Sequence, residues 1–312
     1  MTSTAKPAIE VTGLRKSFGD KTVLDGVDLR VAAGTIFALL GPNGAGKTTT
    51  VQILSTLIGA DGGQVRVAGH DPVTEADDVR AAIGVTGQFS AVDNLLTAEE
   101  NLHLMADLNH LDRAEGRRLA ADLLHRFDLT AEARKYVSTF SGGMRRKLDL
   151  AMGLVAHPDV VFLDEPTTGL DPRSRRDMWE MIRALVADGV TIFLTTQYLD
   201  EADELADRIA VLHDGRIVAE GTPAELKRLV PGGHIRLRFG TAEALDHAAL
   251  KLDGTRDDEA LTLQVPGDGG VSSLRALLDF LDAQSIAVEE LSVHTPDLDD
   301  VFLALTAKDG RP

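Results

Sequence analysis

Residues 41–48 read GPNGAGKT, between the apolar runs TIFALL and TTVQIL. The stretch fits G-x-x-x-x-G-K-[ST] in a strand–loop–helix setting. Glycines let successive backbone N–H groups turn toward an oxyanion, and the helix that follows aims its positive end at the same place. Lys47 would then reach the β- and γ-phosphates of a nucleotide, and the Thr48 hydroxyl would ligate Mg²⁺. A second chemical stretch, VVFLDEP, spans residues 160–166. Asp164, at the tip of an apolar strand, suits Mg²⁺ coordination, and Glu165 suits a general base that activates water. The plain alternatives are an ordinary Gly-rich turn and a pair of solvated loop acids. The flanking apolar runs argue against both.

The elements that must hold these residues follow from the pattern. IEVTGL, KTVLDGVDLRV and TIFALL are β-branched runs punctuated by Gly and Asp, and read as strands; QVRVAGH and IGVTGQ read the same way. Residues 45–58 turn helical. Thr97-Ala-Glu-Glu100 has capping-box spacing. It opens a helix with Leu102, Met105 and Leu108 on one face. A second helix carries Leu119, Leu123, Leu124 and Phe127, and a third starts at Ser141 with Leu148, Ala151, Met152 and Val155 inward. VVFLD and TIFLTT are apolar strands, DMWEMIRALVADG is a helix closed by Gly189, and RIAVLHDGRIVAEG is a hairpin with an Asp-Gly turn. Apolar strands alternating with helices predict an α/β fold with a mostly parallel sheet covered on both faces.

After Leu229, Pro-Gly-Gly reads as a linker. Beyond it HIRLRF, ALTLQV and AVEELSV read as strands, and AEALDHAAL, SSLRALLDFLDAQ and LDDVFLALTA as helices. Residues 1–229 are thus expected as one domain and 230–312 as a small α+β accessory, regulatory domain. In the last helix Leu298, Val301, Phe302 and Leu305 form an apolar stripe, which could pack within that domain or meet a partner.

Composition bounds the rest. The 312 residues carry a net charge of −17, which argues against a nucleic-acid partner. There is no cysteine, hence no disulfide framework and no thiolate metal site. No run of about 18 apolar residues is present, so no transmembrane segment is expected. The N-terminal MTSTAKPAIE lacks a signal-peptide pattern.

Four further stretches, in order with the two above, carry a resemblance. Gln88 follows the strand IGVTG, FSGGMRRKLDLA begins at Phe140, TTGLDP spans 167–172, and LTTQYLDEAD spans 194–203. Over residues 8–225 the chain resembles the nucleotide-binding subunit of ATP-binding-cassette (ABC) transporters. FSGGMRRKLDLA, LTTQYLDEAD and the ending DDVFLALT resemble the ATPase subunits of daunorubicin/doxorubicin-resistance-type drug exporters.

The resemblance implies a P-loop ATPase domain with a β-subdomain and a helical subdomain at about 95–155. It implies ATP and Mg²⁺ as ligands, with ATP hydrolysed to ADP and phosphate. Phe18 would stack on adenine. Gly41, Pro42, Asn43, Gly44, Ala45, Gly46, Lys47, Thr48 and Thr49 would wrap the phosphates. Gln88 would touch Mg²⁺ or the lytic water. Ser141, Gly142 and Gly143 would contact the γ-phosphate held by a second copy, and Asp171 would lie across the same interface, so two chains would sandwich two ATPs head to tail. Arg145, Arg146 and Lys147 read as a solvated helix face. Met144 stands where the family has Gln, and Gln197 where it has a histidine that orients the water. Gln can donate a hydrogen bond but carries no charge, and the exporter subgroup shares it, so activity is expected to be retained.

The implied function is the ATP-hydrolysing motor of a drug exporter, working on the cytoplasmic face of the plasma membrane with a separately encoded integral-membrane permease. Export of lipid, polysaccharide or ions is the nearest alternative. A soluble non-transport ATPase of the same family, or a nucleotide-gated module without turnover, are the others; intact Glu165 argues against the last.

Overall fold

The computed structural model describes residues 6–87, 91–230, 233–267, 270–294 and 296–307. They divide into two compact units, residues 1–223 and 224–312. The division falls between Pro223 and Ala224, upstream of the position after Leu229 suggested by the Pro-Gly-Gly stretch.

In the first unit β1 (Ile9–Phe18), β2 (Lys21–Val31) and β4 (Gly62–Val67) form an antiparallel sheet in the order β2-β1-β4. The second sheet is built from β3 (Ile36–Leu40), β5 (Ile83–Thr86), β6 (Val160–Asp164), β7 (Thr191–Thr196), β8 (Arg208–His213) and β9 (Arg216–Gly221). Its order is β5-β6-β7-β3-β8-β9, parallel except for β9. Every residue of β3, β6 and β7 is buried, as strands covered on both faces must be. β9 returns through Asp214-Gly215, both at positive φ, which matches the right-handed twist of a hairpin. Phe37 stacks on Phe193 at 5.6 Å, and Phe162 packs on Phe193 from the other side at 5.6 Å, joining the three central strands.

Helix α1 (Lys47–Leu54) follows β3, and α2 (Ala76–Ala82) precedes β5. Then come α3 (Ala98–Leu108), α4 (Arg113–Arg126) and α5 (Gly142–Gly153). The expected capping box opens α3, with Thr97 Oγ1 accepting from the Glu100 amide and Glu100 accepting from the Thr97 amide. Its buried face is Ala98, Asn101, Leu102 and Ala106, so Leu108, expected inward, is exposed. Leu148, Ala151, Met152 and Val155 are buried as expected. α6 (Pro172–Ala187) ends in a Schellman motif, with Gly189 N–H donating to Val186 and Val190 N–H to Leu185. α7 (Leu199–Leu205) follows β7, and α8 (Pro223–Lys227) follows β9.

The second unit carries β10 (His234–Arg238), α9 (Ala242–Ala249), β11 (Thr255–Asp257), β12 (Thr262–Pro266), α10 (Val271–Ala283), β13 (Glu290–His294) and α11 (Leu298–Ala307). Its antiparallel sheet runs β11-β12-β10-β13 around Ile235, Leu237, Phe239, Leu245 and Leu263. On α11 Leu298 and Val301 are buried, while Phe302 and Leu305 are half-buried.

Candidate functional site

The carboxyl ends of β3, β6 and β7 lie side by side, since Leu40 pairs with Thr196 and Asp164 with Thr195. The segments that follow these strands carry Gly41–Gly46 with the start of α1, Glu165 and Gln197 respectively, so topology alone gathers them at one edge of the sheet.

Two glycines make the first loop possible. A Cβ on Gly41 would stand 2.3 Å from the Leu212 carbonyl oxygen, on the neighbouring β8. Gly46, at φ +110, is the residue before α1, in a conformation an L side chain resists. Lys47 is 5% exposed. Its ammonium donates to the carbonyls of Gly41 (2.8 Å) and Pro42 (3.2 Å) and lies 3.5 Å from Glu165 Oε1. Burial pulls the Lys47 pKa down, and the Glu165 and Asp164 carboxylates oppose it.

Asp164 closes β6 and is buried. Its Oδ1 accepts from Thr195 Oγ1. Glu165 sits at φ +50, which costs a non-glycine residue about 1–2 kcal/mol. Its amide donates to the Thr195 carbonyl (3.1 Å) and hydroxyl (3.2 Å). Its Oε2 accepts from Thr168 Oγ1 at 3.2 Å. The strained backbone thus holds a carboxylate between Lys47 and Thr168.

A cleft of about 520 Å³ opens here, lined by Phe18, Lys21, Val23, Asn43, Gly44, Gly46, Lys47, Thr48, Thr49 and Glu165. Phe18 is 52% exposed, with Lys16 Nζ 5.4 Å above its ring centre. Gly41 and Ala45 are buried behind the loop surface and Pro42 is half-buried. Gln197 is half-buried, one residue past β7. Gln88 lies outside the described residues. The exposed Thr48 hydroxyl and the Asp164 carboxylate are hard oxygen donors of the kind Mg²⁺ takes.

Ser141, Gly142 and Gly143 lie elsewhere, at the start of α5. Ser141 caps α5, its Oγ accepting from the Met144 amide at 3.2 Å. Ser141 and Gly142 are exposed. A Cβ on Gly143 would meet Ser174 Oγ at 2.7 Å, because α5 and α6 begin against each other. Asp171 caps α6, accepting from the Arg173 and Ser174 amides (3.0 Å each) and the Ser174 hydroxyl (2.6 Å). The Ser174 hydroxyl first, then its amide, holds the Asp171 pKa down.

The face carrying Arg145, Arg146 and Lys147 is half-buried rather than solvated. Arg146 is almost buried, its side chain 11% exposed, and touches Asp149. Arg145 donates to the Ser138 carbonyl at 3.3 Å, and Lys147 lies 3.9 Å from Asp177. Glu201, fully buried, accepts from Thr167 Oγ1 (2.8 Å) and Trp179 Nε1 (3.2 Å) through Oε1. Burial pushes its pKa up, against hydrogen bonds with Thr196, Thr167 and Trp179. Residue types alone missed Thr195, Arg146 and Glu201.

Residues 24–168 match the family described as ABC transporter. Over 310 residues, covering 98% of each chain, the sequence is 49% identical to the daunorubicin resistance ATP-binding protein DrrA3 of Streptomyces coeruleorubidus. A solved ATP-binding subunit of an ABC transporter aligns with a TM-score of 0.64 and 30% identity, over 71% of this chain and 92% of the other. Another, an ATP-binding cassette in a dimeric post-hydrolysis state bound to ADP and Pi, aligns with a TM-score of 0.62 and 25% identity, over 69% of this chain and 98% of the other.

Proposed function

The chain belongs to the ABC transporter family as an ATP-hydrolysing, ATP-binding subunit, and from that premise we propose that it drives drug export by closing head to tail with a second copy over two ATP molecules. Phe18 stacks the adenine, an interaction of about 1–3 kcal/mol by analogy with base–aromatic contacts. Backbone amides of residues 43–48 and the Lys47 ammonium cradle the phosphates. Thr48, Asp164 and Gln88 would hold Mg²⁺, which when bound neutralises charge on the β- and γ-phosphate oxygens. Glu165 accepts the proton of the attacking water, and Gln197 orients that water through its amide. Ser141, Gly142 and Gly143 of the second copy donate to the γ-phosphate, with Asp171 beside them.

One observation carries this reading. Lys47 and Glu165 share a cleft, while Ser141 and Gly142 stand exposed at the start of a different helix. The similarity to a cassette solved as a dimer with ADP and Pi supports it. The relative named for daunorubicin resistance supports a drug as cargo. No helix among the described residues is long and apolar enough to cross a membrane, which fits a separate membrane subunit reached from the cytoplasmic face.

The test is ATP-dependent doxorubicin uptake by inverted vesicles holding this chain and the membrane protein that copurifies with it. Glu165→Gln should lower both phosphate release and uptake by about 10²–10⁴-fold, the contribution of a positioned general base, while ATP binding persists. Uptake that survives a dead Glu165 would contradict the assignment.

A further inference from the structure

Arg146 uses every donor it has. Nε donates to the Pro166 carbonyl (2.9 Å), Nη1 to the Gly87 carbonyl (2.8 Å) and Asp149 Oδ2 (3.4 Å), and Nη2 to the carbonyls of Asp164 (3.0 Å) and Glu165 (3.1 Å). A guanidinium offers five N–H donors in a rigid fork, so its hydrogen-bonding capacity is filled. One turn further along α5, Asp149 Oδ1 accepts from the Ala91 amide at 3.1 Å. A single helical turn therefore grips three successive carbonyls of the loop bearing Glu165, and also Gly87 and Ala91, on either side of the segment that contains Gln88.

The same helix begins at the exposed Ser141 tip. Ser141 and Arg146 are five residues apart, about 7–8 Å along a rigid rod. A displacement of the tip would be carried along α5 to Arg146, and through its hydrogen bonds to the backbone of Glu165. That backbone is in a left-handed conformation, which persists only where its surroundings over-determine it.

We propose that Arg146 is a positioning residue for ATP hydrolysis, transmitting engagement of the Ser141 tip with the twin's nucleotide to the alignment of Glu165 in its own site. The inference rests on the head-to-tail reading. Each chain then activates its own base only when its helix tip has found a γ-phosphate in the other, so the two sites fire as a pair.

The test is steady-state ATPase of the full chain as Arg146→Lys, Arg146→Met, Ser141→Ala, and Ser141→Ala combined with Arg146→Lys, with fluorescent ATP-analogue binding and thermal unfolding alongside. Lysine keeps the charge but cannot serve carbonyls spread over two segments. Arg146→Lys should lower kcat about tenfold or more and leave KM for ATP within about twofold, the signature of an interaction needed only for the chemical step. The combined variant should fall no more than about threefold below the slower single variant, because residues that act as a unit are non-additive.

Reductions that multiply would overturn the coupling. Parental kcat in both Arg146 variants, or a loss in Arg146→Lys matched by lost analogue binding, would overturn the positioning role. If Arg146→Met fails to fold, Arg146→Lys alone carries the test. Parental kcat in Ser141→Ala by itself would instead sink the head-to-tail reading, and the coupling with it.

Discussion

Glu165 is held at three places: by Thr195 on its amide, by Lys47 and Thr168 on its carboxylate, and by Arg146 on its carbonyl. Lys47, Asp164 and Glu165 could be read from the sequence because a short loop at a strand end encodes them locally. Arg146 could not. Four of its five acceptors are main-chain carbonyls of residues far away in sequence, and a carbonyl leaves no trace in residue type. Gln197, one residue past β7, gives a residue-scale prediction. Its amide donates but does not titrate, so turnover should vary little between about pH 6.5 and 8, whereas Gln197→His should add an inflection near the ordinary histidine pKa of about 6.5. Gln197→Ala should slow turnover by about tenfold, one lost transition-state hydrogen bond of roughly 1–1.5 kcal/mol. Steady-state ATPase across that range reads both effects, and parental turnover in Gln197→Ala would remove the residue from the mechanism.

Among the elements, the all-apolar strands were legible because burial on both faces leaves no alternation to misread. α2 was not, since Val79 is its only buried residue and no stripe forms. β11 is three exposed residues, with nothing to mark it except its pairing. Leu108 reads inward from a 3.6-residue period, yet it lies at the last turn of α3, where the chain leaves the helix for the turn into α4. The seat of α5 is a close backbone approach: a Cβ on Gly84 in β5 would stand 2.2 Å from the Gly153 carbonyl at the end of α5. Gly84→Ala should therefore push α5 off the sheet, destabilising the first unit by about 1–3 kcal/mol. Because α5 carries Arg146, ATPase activity should fall further than stability alone explains. Denaturant unfolding and kcat measured on the same sample test this, and an unchanged kcat in a folded variant would mean α5 does not position the loop.

At the scale of the whole chain, the charge of −17 and the strand–helix alternation set the broad class from sequence. The boundary was less legible, because Pro-Gly-Gly marks a flexible stretch while the division follows where contacts thin, at Pro223/Ala224. The second unit carries its own pH response. His234 and His294 face each other across β10 and β13, ring centres 4.7 Å apart, and His294 Nε2 lies 2.9 Å from Asp300. Burial first, then the His294 charge, lowers the His234 pKa. The Asp297 amide, together with His294, lowers that of Asp300. Both groups bind protons less readily when folded than when unfolded, so acid favours unfolding. The stability His234 contributes is present above its unfolded pKa of about 6.5 and is lost as pH falls below it; Asp300 follows at lower pH. Hydrogen exchange, corrected for intrinsic rates, should quicken in β10 and β13 between pH 7.5 and 5.5 while β3, β6 and β7 hold. Equal protection at both pH values would contradict the linkage.

The face-to-face engine is tested most directly by sedimentation of the Glu165→Gln chain with ATP and Mg²⁺. The chain should pair with ATP, come apart with ADP, and stay single when Ser141→Arg is added. A monomer at saturating ATP, or a pair indifferent to Ser141→Arg, would contradict the account.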